Sequence, residues 1–351
     1  MLPSAREFVP LAPLTTLGVG GPARYFVEGT DEAVVLDALR WARAQGVPTR
    51  VLGGGSNLVV DDAGFDGLVV RLLARGRTFT AVGSDVLVEA LAGESWDALV
   101  SASVAEDLQG LECLSGIPGL VGATPIQNVG AYGQEVAETI VRVRALDRRT
   151  LTTREFEGAA CRFAYRDSFF KSEAPEGFVV LSVTFRLRRG APPAVRYAEL
   201  EQGLAVQGVT PERATLARVR ETVIALRRAK SMVLDADDEN ARSCGSFFVN
   251  PVVARERADA IATLVTDAKV PRYPQPDGRV KLAAGWLIER AGFAKGIRRG
   301  AVGLSTKHAL AVVCHEGATA SAVLAFAAEI QERVRARFGV ELVLEPVVWG
   351  R

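Results

Sequence analysis

Between Ser115 and Gly133 the chain runs for nineteen residues without a charged side chain, with glycine at 116, 119, 122, 130 and 133. Such a stretch has little side-chain volume with which to build a core. Its glycines permit positive φ angles and let the backbone lie close against another surface. A shorter run of the same kind, Gly53-Gly54-Gly55-Ser56-Asn57, sits between the apolar runs Arg50-Val51-Leu52 and Leu58-Val59-Val60. Successive N–H groups in such a turn form a nest for an anion such as phosphate. Ser56 and Asn57 add side-chain donors. A tight turn between strands uses the same residues, so the short run alone leaves both readings open. No G-x-G-x-x-G opens a helix with an acid after the next strand, which excludes the Rossmann fingerprint. Two such loops together suit a dinucleotide with a bulky, flat ring system.

A length of 351 residues predicts two or three domains. Hydrophobic residues at 48% and charged residues at 24% are an ordinary globular balance. Lys plus Arg is 42 and Asp plus Glu is 41, a formal charge of +1, so nothing calls for nucleic acid as a partner. The pairs Arg148-Arg149 and Arg227-Arg228 read as solvated surface. Met1 to Glu7 lacks a basic leader and a long apolar run. No segment has the apolar length of a membrane helix, so a cytoplasmic protein without membrane contact is expected. Cys113, Cys161, Cys244 and Cys314 are scattered without a C-x-x-C pair and read as free thiols. His308 and His315 cannot form a zinc site alone, and no metal is expected. A Ser-His-Asp hydrolase is poorly supported without a G-x-S-x-G elbow.

Along the chain, Ala23 to Val27 reads as strand, and Thr30 as the cap of a helix with Asp31 and Glu32 in its first turn. Val34, Val35, Ala38, Leu39 and Ala42 recur at helical spacing, and Gly46 closes the helix. Trp96 to Val104 and Leu216 to Arg228 read as helices, and Val141–Leu146 and Val179–Leu187 as half-buried strands. Asp235 to Asn240 is a polar, acidic loop. Val323, Ala327, Ile330, Val334 and Phe338 form one helical stripe, Gly339 ends it, and Val340 to Leu344 reads as the last strand.

The two glycine-rich loops resemble the flavin-binding domain of the vanillyl-alcohol-oxidase-like flavoproteins. Five further motifs narrow the resemblance. They are Ile117-Pro118-Gly119, Asn128-Val129-Gly130-Ala131-Tyr132-Gly133, Tyr165-Arg166-Asp167-Ser168-Phe169-Phe170-Lys171, Gly245-Ser246-Phe247-Phe248-Val249-Asn250-Pro251 and Lys281-Leu282-Ala283-Ala284-Gly285-Trp286-Leu287-Ile288-Glu289. In this order, between Thr16-Leu17-Gly18-Val19-Gly20-Gly21-Pro22-Ala23 and Leu344-Glu345-Pro346, they resemble the UDP-N-acetylenolpyruvoylglucosamine reductases nearly end to end.

That resemblance implies an α+β fold: a two-part FAD-binding domain of the vanillyl-alcohol-oxidase type and a C-terminal α+β substrate-binding domain. The expected bounds are 1–75 and 76–228 for the two flavin-binding parts and 229–351 for the substrate domain, with the last strand free to return to the first part. It implies non-covalent FAD, NADPH as reductant and a UDP-linked amino-sugar enolpyruvyl ether as substrate, reduced to UDP-N-acetylmuramate for peptidoglycan synthesis. The family reaction it implies passes hydride from flavin N5 to C3 of the enolpyruvyl group and adds a proton at C2.

The resemblance implies flavin contacts at Gly53, Gly54, Gly55, Ser56, Asn57, Ser115, Gly116, Ile117, Pro118, Gly119, Gly122, Ala123, Asn128, Gly130, Ala131, Tyr132 and Gly133. Ser246 matches the family's proton donor and Arg166 its carboxylate-binding cation. Glu345 matches its acid near the C-terminus, holding either Arg166 or a water. Tyr197 matches the lid tyrosine of the longer-chain subtype, and Lys230, Asn250 and Lys281 match positions around the UDP group. Cys244 lies two residues before Ser246 and would share its face on an extended strand, as a bystander thiol or an oxidation liability. Two other classes remain for comparison: an FAD-dependent oxidase of the same superfamily acting on a small alcohol or sugar, and a non-catalytic nucleotide-sugar binder.

Overall fold

The computed structural model describes residues 5–265 and 268–350. The first third carries strands β1 (Arg6–Pro10) and β2 (Pro22–Gly29), helix α1 (Glu32–Gln45), and strands β3 (Thr49–Leu52), β4 (Leu58–Val60) and β5 (Phe65–Leu72). Next come β6 (Arg77–Val82), β7 (Asp85–Leu91), α2 (Trp96–Ala105), β8 (Leu108–Gln109), α3 (Thr124–Gln127), β9 (Gly130–Ala131) and β10 (Gln134–Glu135). Strands β11 (Ile140–Asp147), β12 (Thr152–Glu157) and β13 (Phe178–Arg189) follow, then helices α4 (Ala198–Val206) and α5 (Leu216–Arg228). The last third holds β14 (Ser243–Ser246), β15 (Val252–Val253), α6 (Arg255–Leu264), β16 (Arg272–Pro274), β17 (Val280–Leu282) and α7 (Ala284–Arg290). It ends with β18 (Arg298–Arg299), β19 (Val302–Leu304), β20 (Ala311–Cys314), α8 (Ala320–Phe338) and β21 (Val347–Trp349).

These elements form two compact units whose chain segments interleave. The first takes residues 1–9, 23–54 and 66–234, and the second takes 10–22, 55–65 and 235–351. In the first unit, one sheet runs β1-β2-β5-β3 and another β12-β11-β13-β7-β6. The chain passes finally into the second unit after residue 234, and residues 10–22 and 55–65, within the expected 1–75 segment, belong to that unit as well.

Helix α1 follows the apolar spacing, burying Val35, Ala38, Leu39 and Ala42. Fully burying a Leu or Val side chain contributes about 1.5–3 kcal/mol. Its cap is Asp31, whose carboxylate accepts from Val34 N–H, in place of the expected Thr30. Gly46, at φ 65°, closes it in the left-handed region.

The second unit contains the sheets β14-β20-β19-β18 and β15-β17-β16, and the parallel pair β21-β4. Helix α8 buries the full stripe Val323, Ala327, Ile330, Val334 and Phe338. Its first turn is held by Thr319 and by Asp62, which accepts from the N–H groups of Ala320 and Ser321. The last strand is β21 rather than Val340–Leu344, where only Leu344 bridges, to Phe248. Strand β21 pairs with β4, which falls within residues 1–75 of the chain.

Candidate active site

In the first unit the long glycine-rich loop is fastened at several backbone points. Asp97, in the first turn of α2, accepts the Gly116 N–H at 2.6 Å and both arms of the Arg220 guanidinium at 2.6 and 2.8 Å. Burial works to raise the Asp97 carboxyl, but the hydrogen bonds from Arg220 and Gly116 outweigh it and hold the group below the usual carboxylate value. Trp96 N–H donates to the Gly119 carbonyl, Val121 N–H to Glu94 and Gly122 N–H to Ala92. Two glycines are required by close approach. A Cβ on Gly122 would lie 2.6 Å from Ala92 Cβ, and one on Gly54 would lie 2.8 Å from Gly119 Cα. The structure therefore lays Gly54 of the short loop against Gly119 of the long one.

Several of the expected cofactor residues hold the loop's own shape. Ser115 Oγ donates to the Glu112 carbonyl, and Ala123 N–H donates to Leu120. Asn128 is buried at positive φ; its amide donates to Glu135 and the Ala164 carbonyl and accepts from Ala137 N–H. Tyr132 also has positive φ, and burial raises its hydroxyl to about 12.

Arg166 occupies position three of a tight turn closed by Ala164 N–H to Asp167 and Asp167 N–H to Ala164. Its φ of 55° is one that glycine normally supplies at that turn position. Strain of this kind in a non-glycine residue costs about 1–3 kcal/mol and clusters at functional sites. Arg166 Nη2 donates to the Gly130 carbonyl at 2.8 Å, the guanidinium lies 5.4 Å from the Tyr165 ring, and Lys171 Nζ holds the Arg166 carbonyl. The structure thus brings Arg166 to the Gly130-Ala131 end of the loop.

Tyr197 caps α4 in an extended conformation and meets Tyr132 edge-on, ring centroids 5.7 Å apart. Lys230 Nζ lies 5.8 Å over the Tyr132 ring and 2.6 Å from the Glu199 carboxylate. Tyr132, Tyr197 and Lys230 are therefore one cluster.

The pairs Arg148-Arg149 and Arg227-Arg228 depart from the expected solvated surface. Arg148 donates to the carbonyls of Thr49 and Glu176. Arg227 donates through Nη2 to Met232, while its Nε is shielded from solvent and meets no acceptor among the described residues. That Nε lies 3.6 Å from where a Cβ on Gly116 would stand. Burial lowers the Arg227 guanidinium, against the favourable fields of Tyr132 and Asp97. In each pair the first arginine turns inward because adjacent residues on a strand end or helix face different sides.

In the second unit, Ser246, Glu345 and Asn57 are brought onto adjoining backbone. Glu345 N–H donates to the Phe247 carbonyl, Asn57 Nδ2 to the Glu345 carbonyl and Val347 N–H to the Asn57 carbonyl. Gly55, at φ 64°, packs so that a Cβ would lie 2.0 Å from the Leu14 carbonyl oxygen.

Ser246 follows a bulge between Ser243 and Ser246 in the β14–β20 pairing, with Gly245 at φ 75°. An extra residue at positive φ breaks the two-residue alternation of a strand. The shared face expected for Cys244 and Ser246 is therefore absent. Cys244 packs in the core of the second unit, and Ser246 is half-buried. Burial pushes the Cys244 thiol strongly up, with smaller contributions from Cys314 and Glu345. Asn250 Oδ1 accepts the Ala284 N–H at the start of α7, and Lys281 Nζ sits 5.9 Å over the Tyr273 ring.

Sequence reasoning missed Asp97, Glu199, Arg220 and Arg227. Glu199 carries the one available signal, its place two residues after Tyr197 at a helix start. The Asp97–Arg220 pair spans 123 positions and has no local signature.

The loops define the class of the protein. Residues 23–153 match the FAD binding domain family, and the chain is an FAD-dependent oxidoreductase. Residues 237–349 match the family described as UDP-N-acetylenolpyruvoylglucosamine reductase, C-terminal domain. A UDP-N-acetylenolpyruvoylglucosamine reductase of Saccharopolyspora erythraea is 50% identical over 349 residues, covering 96% of this chain and 94% of the relative. That of Thermobifida fusca is 48% identical, covering 100% and 99%. The crystal structure of the Thermus caldophilus reductase is 26% identical with a TM-score of 0.65, over 99% of this chain and 100% of that one. The chain belongs to the UDP-N-acetylenolpyruvoylglucosamine reductase family.

Proposed function

We propose that the chain reduces UDP-N-acetylenolpyruvoylglucosamine to UDP-N-acetylmuramate for peptidoglycan synthesis, with NADPH as reductant and FAD held without a covalent bond. The observation that carries the reading is the joining of Ser246 and Glu345 through the Glu345–Phe247 hydrogen bond, in a chain about half identical to such reductases from end to end.

The residues present fit FAD. Gly54 meets Gly119 of the long loop with no side chain between, and a Cβ at the neighbouring Gly53 would meet nothing within 4 Å. Arg227 offers a shielded Nε that lacks an acceptor among the described residues. The two glycine-rich loops would hold the cofactor. Bound there, FAD would supply the hydride chemistry, with NADPH as the source of the hydride and the enolpyruvyl group as its acceptor. Cys113, the cysteine nearest the long loop in sequence, is buried and donates to the Ala194 carbonyl, which argues against a thioether tether.

The protein's own residues manage charge and proton. Hydride arriving at C3 pushes electron density onto the substrate carboxylate. The planar fork of Arg166 suits that carboxylate and stabilises it most as charge develops. Ser246 gives its hydroxyl proton to C2. A hydroxyl is a weak acid, but the carbanion-like carbon it meets is a strong base. Glu345 takes the role of the family's acid, holding Arg166 or a water against the intermediate. Lys230 and Tyr197 in the first unit, and Asn250 and Lys281 in the second, are assigned to the UDP group by their match to the family. The reaction places the protein in the cytoplasm, where NADPH and nucleotide sugars are supplied.

The visible spectrum tests the reading. The purified protein is expected to be yellow, to bleach with NADPH and to recover colour on adding the enolpyruvyl substrate. Acid precipitation should release all colour to the supernatant. Colour retained in the pellet, or recovery with oxygen alone at the same rate, favours an oxidase.

A further inference from the structure

Glu199 stands where a substrate-binding cation would otherwise be available. It lies in the first turn of α4, where the helix N-terminus favours a negative charge. Its carboxylate is 2.6 Å from Lys230 Nζ, and both side chains are half-buried. Lys230 also lies over Tyr132, which meets Tyr197 edge-on, and Tyr197 is the cap of the helix carrying Glu199. The cation, the lid tyrosine and the carboxylate are thus one mechanical unit.

We infer that Glu199 is an internal competitor for Lys230, lowering the affinity of the site for the diphosphate of a nucleotide sugar. The inference rests on the reading above that Lys230 faces those phosphates. An ammonium paired at 2.6 Å presents a nearly neutral pair to an approaching anion. Three N–H donors let Lys230 touch a phosphate while still touching Glu199, so contact is not blocked. The carboxylate then stands within a few ångströms of the phosphate oxygens, and like charges at that distance repel. Displacing Glu199 instead would break the tie between α4 and the end of α5. Either route costs binding free energy.

Such a cost has a use. Tightening substrate and product equally does not speed the chemical step, and it slows release. A carboxylate built into the lid helix weakens the grip on the nucleotide moiety that substrate and product share.

The test is equilibrium titration of the FAD-loaded protein with UDP by calorimetry. Variants are Glu199→Gln, Lys230→Met and the double change, each checked for flavin content and thermal midpoint. Glutamine keeps the shape and removes the charge. For a half-exposed ion pair the expected tightening of UDP binding by Glu199→Gln is about 2–5-fold. Lys230→Met should weaken binding, and in that background the Glu199→Gln gain should vanish. Unchanged or weaker UDP binding by Glu199→Gln overturns the inference, because Glu199 then positions Lys230 instead of competing for it. A gain that persists without Lys230 also overturns it. Failure of the unaltered protein to bind UDP overturns the nucleotide-sugar reading itself, and the inference with it.

Discussion

Ser246 acquires its position from Gly245 more than from itself. The bulge at positive φ sends Cys244 into the core and leaves Ser246 half-buried. Proton delivery belongs only to the second half-reaction, so Ser246→Ala should leave flavin reduction by NADPH near normal. It should slow reoxidation by the enolpyruvyl substrate about 10²–10⁴-fold, the range for a positioned general acid. Stopped-flow absorbance separates the halves, and equal slowing of both would make Ser246 structural. Asp97 gives a second residue-scale prediction. Its folded pKa lies below the ordinary value of 3.8, so its contribution to stability is fully present above about pH 4 and is lost as pH falls through the folded value. Asp97→Asn should lower stability by about 1–2 kcal/mol at pH 7, since the carboxylate is one-third exposed and only partly desolvated. It should also flatten the acid limb of the melting temperature against pH. A parallel downward shift at every pH would count against the ion-pair account.

At the scale of elements, what was legible followed from periodicity. Helices α1 and α8 obey the spacing of Val35, Ala38, Leu39 and of Val323, Ala327, Ile330, because one buried stripe suffices to define them. The cap moved from Thr30 to Asp31, since neighbouring capping residues compete and only the extended backbone of Asp31 lets its carboxylate reach Val34. Strand β21 was misplaced because Val340 to Leu344 is equally apolar, and only pairing with β4 distinguishes the two. The loops yield a prediction of their own. Gly54→Ala would press a methyl against the Gly119 backbone, which cannot swing aside as a side chain does. Overpacking of this kind costs about 1–3 kcal/mol. The expected outcome is a lower thermal midpoint together with loss of bound flavin. Gly53→Ala, whose methyl meets nothing within 4 Å, should keep the midpoint of the flavin-free protein. A drop there equal to that of Gly54→Ala would show that loop packing is not the cause.

For the whole molecule, motif order carried the identity while long-range geometry stayed hidden. The triplet Gly245-Ser246-Phe247 and the acid Glu345 could be matched to a family, but their adjacency depends on a hydrogen bond joining residues 98 positions apart, between Glu345 and Phe247. The interleaving of the two units was likewise invisible. It predicts that residues 235–351 expressed alone will lack cooperative structure, because β21 and the start of α8 would lose β4 and Asp62. Co-expression with residues 1–234 should restore a cooperative melt; a sharp melt by the short fragment alone would contradict this. The same pairing has a temporal side. Strand β4 emerges from the ribosome almost three hundred residues before β21, and during that interval its edge has no sheet partner among the described residues. A nascent chain therefore carries the apolar strand β4 without its partner until β21 has been made, and the two can pair only late, as a long-range closing step.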